Sequence, residues 1–578
     1  MNSLRTAKRF VFPLLGLWVL LYASFSLVKP PLLDGTDSIQ AEAAREMAVK
    51  GDWITPHVDG VRYFAVSPLL TWSTAYSLKL FGITDWAARI PVALYVLALF
   101  LITMALGARL FLTPVAGFYA ALMLLTSAGV FLFAHLLFPQ ILCTLWITLA
   151  MYYFWRSLHY EHASRGTAIG FAVACGLATL SQGVAGIAIP LVIVLLFLGI
   201  NRNLLHLLRW HPVISAAAYL VIVVPWHVAV HRAHGMRPHL AAGAGPNSAP
   251  LLLVWAFLLL WITPWFVFSV AALVRLPARS VPHSKHMDPS HQARVLLVLW
   301  MIAVALFVAV TPRQEFSILP ALPAVALLAG GWLAADEDAP SREGRIFAWI
   351  FLALGIVMAS IALYLGVRAP SPAPGADIAT LLHLHPGEHR FYFGHIADLT
   401  FQSMGAFRVP LFITAAALVV GLAANLVFRF RNKARMANCF LAGTMVFLLI
   451  AAHLALNTIS PVISSAILAE AIKPEVNSGD IVIVNEHYRD ASALSFYLER
   501  PIYLLNAPPN DLGRFSSENP ALFENSSSLA TQWGGSDRVF LWTTPEFVPA
   551  LPGNVYLIAR DGGREILSNQ PNSGGASF

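Results

Sequence analysis

Arg9-Phe10-Val11-Phe12-Pro13-Leu14-Leu15-Gly16-Leu17-Trp18-Val19-Leu20-Leu21-Tyr22-Ala23-Ser24-Phe25-Ser26-Leu27-Val28, running on into Lys29-Pro30-Pro31-Leu32-Leu33-Asp34-Gly35-Thr36-Asp37, is the stretch on which the fold turns. After Arg9 it carries no charge until Lys29, and its length is what an α-helix needs to cross a bilayer, about 20 residues at 1.5 Å each. Arg5, Lys8 and Arg9 precede it. A cleaved leader has the same basic start. This block is long for a leader, however, and Lys29-Pro30-Pro31 offers no small-x-small cleavage site. It reads as a retained first span with the N-terminus in the cytoplasm. Asp34 and Asp37 then stand just beyond the far face of the membrane.

The rest of the chain repeats that pattern. Of its 578 residues 58% are hydrophobic and only 12% charged, against about a quarter charged in an ordinary soluble domain. Thirteen spans are expected, at roughly 9–28, 86–108, 112–132, 136–155, 166–181, 183–200, 212–230, 249–274, 295–311, 316–335, 346–368, 409–428 and 438–458. Basic residues concentrate in alternate connections: Arg109; Arg156 and Arg165; Arg202 and Arg209; Arg275, Arg279, Lys285 and Arg294; Arg342 and Arg345; Arg429, Arg431, Lys433 and Arg435. This is the positive-inside pattern, and with an odd number of spans it puts the C-terminal region outside. The net charge of +7 is therefore a topology signal. No continuous basic stripe exists to bind nucleic acid. Cys143, Cys175 and Cys439 all fall in apolar blocks, which argues for three buried small side chains and against a disulfide framework.

Three outside segments are longer than turns. In the first, Thr36 to Lys50 places Ile39, Ala43, Ala44, Met47 and Ala48 on one side and Ser38, Glu42, Arg45 and Glu46 on the other, an amphipathic helix suited to the membrane surface. Pro68 to Phe81 reads as a second interfacial helix. The second segment, about 231–248, holds His231, Arg232, His234, Arg237 and His239; the third, about 369–408, holds His383, His385, His389, Arg390 and His395. Beyond Thr458 the pattern changes. Asp480 to Asn485, Pro501 to Leu505 and Arg538 to Trp542 read as strands, Ala491 to Leu498 as a helix, and 555–558 with 565–567 as a hairpin. The expected fold is an all-α polytopic membrane domain over 1–458, with interfacial helices in a first loop at 29–85, and a periplasmic α/β domain over 459–578. That domain has a partly parallel sheet and no Gly-rich phosphate fingerprint.

The first loop carries a recognisable order: Asp34, then Ala43-Ala44-Arg45-Glu46-Met47, Gly51-Asp52-Trp53-Ile54-Thr55-Pro56, Gly60-Val61-Arg62-Tyr63-Phe64, and Pro68-Leu69-Leu70-Thr71-Trp72. It resembles the bacterial GT-C glycosyltransferases related to aminoarabinose transferase and protein O-mannosyltransferase. Pro225-Trp226-His227, Arg313-Gln314-Glu315 before Leu319-Pro320-Ala321-Leu322-Pro323, and the soluble C-terminal domain extend the likeness over most of the chain. The resemblance implies an inner-membrane transferase. Such an enzyme moves a sugar from a polyprenyl-phosphate donor to a lipid, glycan or protein acceptor in the outer leaflet or periplasm, with inversion. A loop carboxylate acts as base on the acceptor hydroxyl and basic groups stabilise the phosphate leaving group. On this likeness Asp34, with Asp37 beside it, takes the catalytic position. Arg62, Arg232 and Arg313 become the candidates for the donor phosphate, with Arg237 a further one.

The departures matter equally. Where the family places Glu-Lys after Tyr-Phe, this chain has Ala65-Val66. Gln140 stands at the usual second Asp, Gln182-Gly183 at a usual Lys-Gly, and Phe316-Ser317 at usual tyrosines. Losing one preorganised electrostatic group costs about 100- to 1000-fold in rate. The alternative reading is thus a catalytically impaired relative that binds a lipid or a partner protein. No cofactor is assigned; a divalent metal stays open, and the four-residue spacing of His227 and His231 would suit one, though no metal ligand is assigned. A transporter would show repeats and mid-span charges, which are missing here.

Overall fold

The structure is a computed structural model describing residues 2–28, 30–160, 164–234, 250–274, 289–383, 394–485, 487–508, 512, 518–547 and 551–572. Helices stand at all thirteen expected positions. Nine of them are single helices long and apolar enough to span a membrane, and two more positions hold bent pairs. Pro114–Leu125 meets Ala128–His135 at 52°, and Leu251–Trp261 meets Phe266–Val274 at 106°. The first bend has a local cause: the Thr126 hydroxyl turns back to the Leu122 carbonyl, and Ser127 caps the following helix by accepting from the Val130 amide.

The other two positions correct the count. Arg165–Gln182 is too polar for a membrane span and Ala185–Ile200, with 16 residues, is short for one. Among the described residues the supported number of spans is therefore nine, or up to eleven with the bent pairs. The short pair is joined through Gly183, whose φ of +63° suits glycine. It is pressed together so closely that a Cβ on Gly186 would lie 2.2 Å from the Ala178 backbone carbon.

The first-loop helix Thr36–Lys50 forms over the expected residues and stops at Gly51, whose φ of +74° makes the left-handed C-cap. Its polar side is not open to water. Ser38, Glu42, Arg45 and Glu46, expected to face water, are all buried, because the C-terminal domain sits on them. Ala41, Ala44 and Met47 pack into the membrane-domain core, while Ile39 and Ala43 join a second core with Leu468, Val482, Leu504 and Trp542. The helix is sandwiched between two bodies. Behind it comes a two-stranded hairpin, β1 His57–Val58 and β2 Val61–Arg62, and then the second expected helix, Pro68–Phe81, with Pro68 at its first position and Ser67 as its cap.

The last long helix, Ala434–Ile463, runs past the expected boundary before the short helix Ala466–Ile472 opens the C-terminal region. A six-stranded sheet follows: β3 Ile481–Asn485, β4 Tyr503–Leu505, β5 Phe523–Glu524, β6 Val539–Thr543, β7 Tyr556–Asp561 and β8 Arg564–Ser568, in the order β5-β4-β3-β6-β8-β7. The pairs β3–β4, β3–β6 and β4–β5 are parallel, and β6–β8 and β7–β8 antiparallel, so the sheet is partly parallel as expected. The sequence reading missed β5 and the helix Ser526–Trp533. Of the cysteines, Cys143 and Cys175 are buried; Cys439 is exposed, against expectation, on the outer face of its helix.

Candidate functional site at the first loop

Asp34 sits between the first span and the first-loop helix, with its side chain 6% exposed. Its Oδ2 accepts from the Ser465 amide at 2.7 Å, the Ser465 hydroxyl at 2.8 Å and Arg564 Nη1 at 2.9 Å, while Oδ1 accepts from the Ala493 amide at 2.8 Å. Ser465 precedes the helix Ala466–Ile472, and Ala493 begins the helix Ala493–Leu498. The carboxylate is thus docked on the N-terminal ends of two short helices and on a guanidinium that also lies 5.1 Å over the Trp542 ring. Gly35 donates to Ser492 Oγ at 2.8 Å, and Ser464 Oγ donates to the Leu32 carbonyl at 2.6 Å. Burial pushes the Asp34 carboxyl up to about 6, against the pull of Arg564 and of the Ala493 and Ser465 donors.

Asp37 is one turn away and plays a different part. Its Oδ2 accepts from the Leu33 amide at 3.0 Å and lies 3.6 Å from Arg89 Nη2. Arg89 in turn donates to the Pro30 and Pro31 carbonyls at 2.8 and 3.0 Å, so the pair holds the turn that carries Asp34. Burial, ahead of the attraction to Arg89, raises the Asp37 carboxyl to about 6 as well.

The three arginines go to different places. Arg62, on β2, donates to Glu518 at 2.9 Å and approaches His234 Nδ1 at 3.3 Å. That contact puts it beside the end of the helix Pro212–His234, which also carries Arg232. Arg232 is exposed and lines an open groove of about 630 Å³ with Leu220, Val221, Val224, Pro225, Val228 and Ala229. Arg313 lies on the turn after helix Pro289–Val310 and donates to the Ala309 carbonyl at 3.3 Å. Next to it Glu315 is buried, and its carbonyl accepts from Trp261 Nε1 at 2.9 Å. Arg237, His239, His385, His389 and Arg390 lie outside the described residues. His227 is hydrogen-bonded to the Val223 carbonyl at 2.8 Å, and the structure groups no metal-ligand set around it or His231 among the described residues.

The positions that depart from the family pattern are visible too. Ala65 is exposed at the loop after the hairpin. Phe316 packs on Phe138 with ring centroids 4.8 Å apart, an apolar use of its position. Gln140 and Gln182 leave buried side-chain oxygens with no hydrogen-bond partner. Sequence reasoning passed over Glu42, Glu46, Asp59 and Arg564. Asp59-Gly60 between two short extended pairs was a readable hairpin signal, because a two-residue turn needs positive φ at both positions. They have φ of +50° and +76°. Nothing local in the sequence announced Arg564.

Residues 4–235 match the family model described as dolichyl-phosphate-mannose-protein mannosyltransferase. The chain is 28% identical over 376 residues to the undecaprenyl phosphate-alpha-4-amino-4-deoxy-L-arabinose arabinosyl transferase of Aeromonas salmonicida, covering 62% of this chain and 66% of that protein, just under two thirds of its length. It is 32% identical over 248 residues to the protein of the same name from Edwardsiella ictaluri, covering 40% of this chain and 44% of that one. Its fold is that of the crystal structure of ArnT from Cupriavidus metallidurans bound to undecaprenyl phosphate, with a TM-score of 0.79, 21% identity, and coverage of 97% of this chain and 98% of that one. In fold and in sequence, then, this multi-pass membrane chain is similar to the GT-C, aminoarabinose-transferase-like proteins.

Proposed function

We propose that this protein is a membrane glycosyltransferase that takes a sugar from a polyprenyl-phosphate donor and gives it to a hydroxyl of a lipid, glycan or protein acceptor on the outer face of a bacterial inner membrane. The observation that carries the reading is the similarity over 376 residues to transferases named for an undecaprenyl-phosphate-linked sugar. The local chemistry is compatible with it. The apolar groove along Pro212–His234 suits a prenyl chain, and Arg232, with Arg62 close to His234, supplies positive charge where the phosphate of such a lipid would lie.

In the reaction the acceptor oxygen forms a bond to the anomeric carbon as the bond from that carbon to the phosphate oxygen breaks. Polyprenyl phosphate leaves with the electron pair, and the acceptor proton passes to a carboxylate. In our reading that base is Asp34, with a pKa raised toward the working range of a general base. Its oxygens face four donors here, so it can serve only when the Arg564 contact opens. Asp37 keeps the turn in place through Arg89.

A second reading, a non-catalytic relative that binds lipid or a partner, is favoured by Ala65-Val66, Gln140 and the fully engaged Asp34. One experiment separates the two: transfer from a panel of polyprenyl-phosphate sugars by the purified protein, beside Asp34→Asn. Turnover that falls about 100-fold or more in the variant supports the enzyme. Donor binding with no turnover by the wild-type protein supports the second reading.

A further inference from the structure

Beneath the C-terminal domain, Glu42, Glu46 and Asp59 converge. Each offers one carboxylate oxygen, and these oxygens all lie within 4.8 Å of one another, twice the bond length to a calcium-sized ion. The three side chains belong to two elements, the first-loop helix and the hairpin turn, and all are buried, Glu42 to 0%, Glu46 to 3% and Asp59 to 1% exposure.

Two of the three have partners. Glu42 takes both arms of Arg45, at 2.6 and 2.7 Å. Glu46 accepts from the Gly60 amide at 2.8 Å and pairs with Lys50. Asp59 is different. Neither of its carboxylate oxygens has a hydrogen-bond partner; the Ile502 amide lends it support short of a hydrogen bond. A buried carboxylate with so little donor support is costly to keep, since taking such a group out of water without compensation costs several kcal/mol or more.

Charge counting points the same way. Three carboxylates face two cations, Arg45 and Lys50, leaving one negative charge in a closed space. Arg45 is fixed: it is 7% exposed and its Nη1 also donates to the Glu499 carbonyl at 3.3 Å. Lys50 is not, with its side chain 48% exposed. If Lys50 swings into water, three carboxylates, one guanidinium and one divalent ion sum to zero.

We propose that Glu42, Glu46 and Asp59 form a binding site for a hard divalent cation of the calcium, magnesium or manganese class, which braces the first-loop helix and hairpin against the C-terminal domain. The donors are all carboxylate oxygens, the set that such ions prefer over zinc or copper. The ion occupies the space that the Lys50 ammonium borders, so the lysine acts as its competitor. The site shares no residue with the Asp34 cluster or the arginine groove, and it does not depend on whether the protein transfers sugar.

The test uses the full-length protein in detergent, stripped with chelator and titrated with terbium, a luminescent stand-in for calcium. Tyr488, buried beside the same three carboxylates, is the local sensitiser. We expect saturable luminescence, displaced by calcium, manganese or magnesium, together with a cation-dependent rise in Tm. Asp59→Asn and Glu46→Gln each weaken binding at least about 10-fold. Lys50→Ala tightens it about 2- to 5-fold, the scale of a half-exposed ion pair. Asp59→Asn mimics a protonated carboxyl and should stay folded. Absence of saturable terbium binding by the wild-type protein, or equal binding by the Asp59 and Glu46 variants, overturns the proposal and assigns the missing positive charge to a proton.

Discussion

At Asp34 a single carboxylate from the first loop meets donors that arrive from three later points of the chain, Ser465, Ala493 and Arg564. Removing one member of a buried pair leaves the other uncompensated, at about 3–5 kcal/mol. Arg564→Ala should therefore lower stability by that order, measured by thermal unfolding, and a loss under about 0.5 kcal/mol would mean that the contact is idle. The pH dependence follows from the direction of the shift. Burial lifts the folded carboxyl to about 6 from an ordinary value near 4, so the folded state holds the proton more tightly. The contribution is then fully present below about pH 4 and is lost as pH rises through about 6. Relative to Asp34→Asn, the wild-type protein should gain on the order of 1–3 kcal/mol between pH 7 and pH 4, and a constant difference across that window would contradict the burial argument. The sequence marked Asp34 and Asp37 as notable because they follow a span. It could not tell a docking contact from a reactive group, since the deciding partner lies 530 residues away.

Among the elements, those with a one-dimensional signal were legible. The span positions follow from unbroken apolar length, the helix Thr36–Lys50 from apolar and polar residues that sort to opposite sides, and Pro68–Phe81 from its apolar run. The strands β3, β4 and β6 follow from short apolar runs. What failed was the environment of the first-loop helix. Its polar side looked water-facing because charge in a sequence usually is, whereas the C-terminal domain covers it; Arg45 pairs with Glu42 of its own helix and donates to the Glu499 carbonyl of that domain. Helix crossings are also set by residues with no pattern of their own. A Cβ on Gly117 would stand 2.1 Å from the Met104 carbonyl oxygen, so Gly117→Val should push Pro114–Leu125 off Asp85–Leu110. We expect at least about 2 kcal/mol of destabilisation, or loss of the folded protein from membranes; wild-type expression and Tm would show that the crossing yields easily.

For the molecule as a whole, the alternation of basic connections puts the C-terminal sheet and the first loop on one side of the membrane, and their direct contact is consistent with that. Orientation itself is a matter for labelling. Ser536 lies in an exposed turn of the C-terminal domain, so Ser536→Cys should react with a membrane-impermeant maleimide from the periplasmic side in spheroplasts. Buried Cys143 and Cys175 should stay silent, and exposed Cys439 calls for a Cys439→Ser background. Labelling of Ser536→Cys only in inverted vesicles would reverse the topology and with it the proposed outer-face reaction.

The pairing of Asp34 with Arg564 also sets a timetable. At about 5–20 residues per second, synthesis needs roughly 26 to 106 seconds to travel the 530 positions between them. Through that interval the nascent first-loop helix has emerged with Glu42, Arg45 and Glu46 and no lid to cover them. A ribosome that stalls in the final hundred codons leaves a fully inserted bundle whose charged shelf is open to the bilayer surface, a natural target for quality-control proteases.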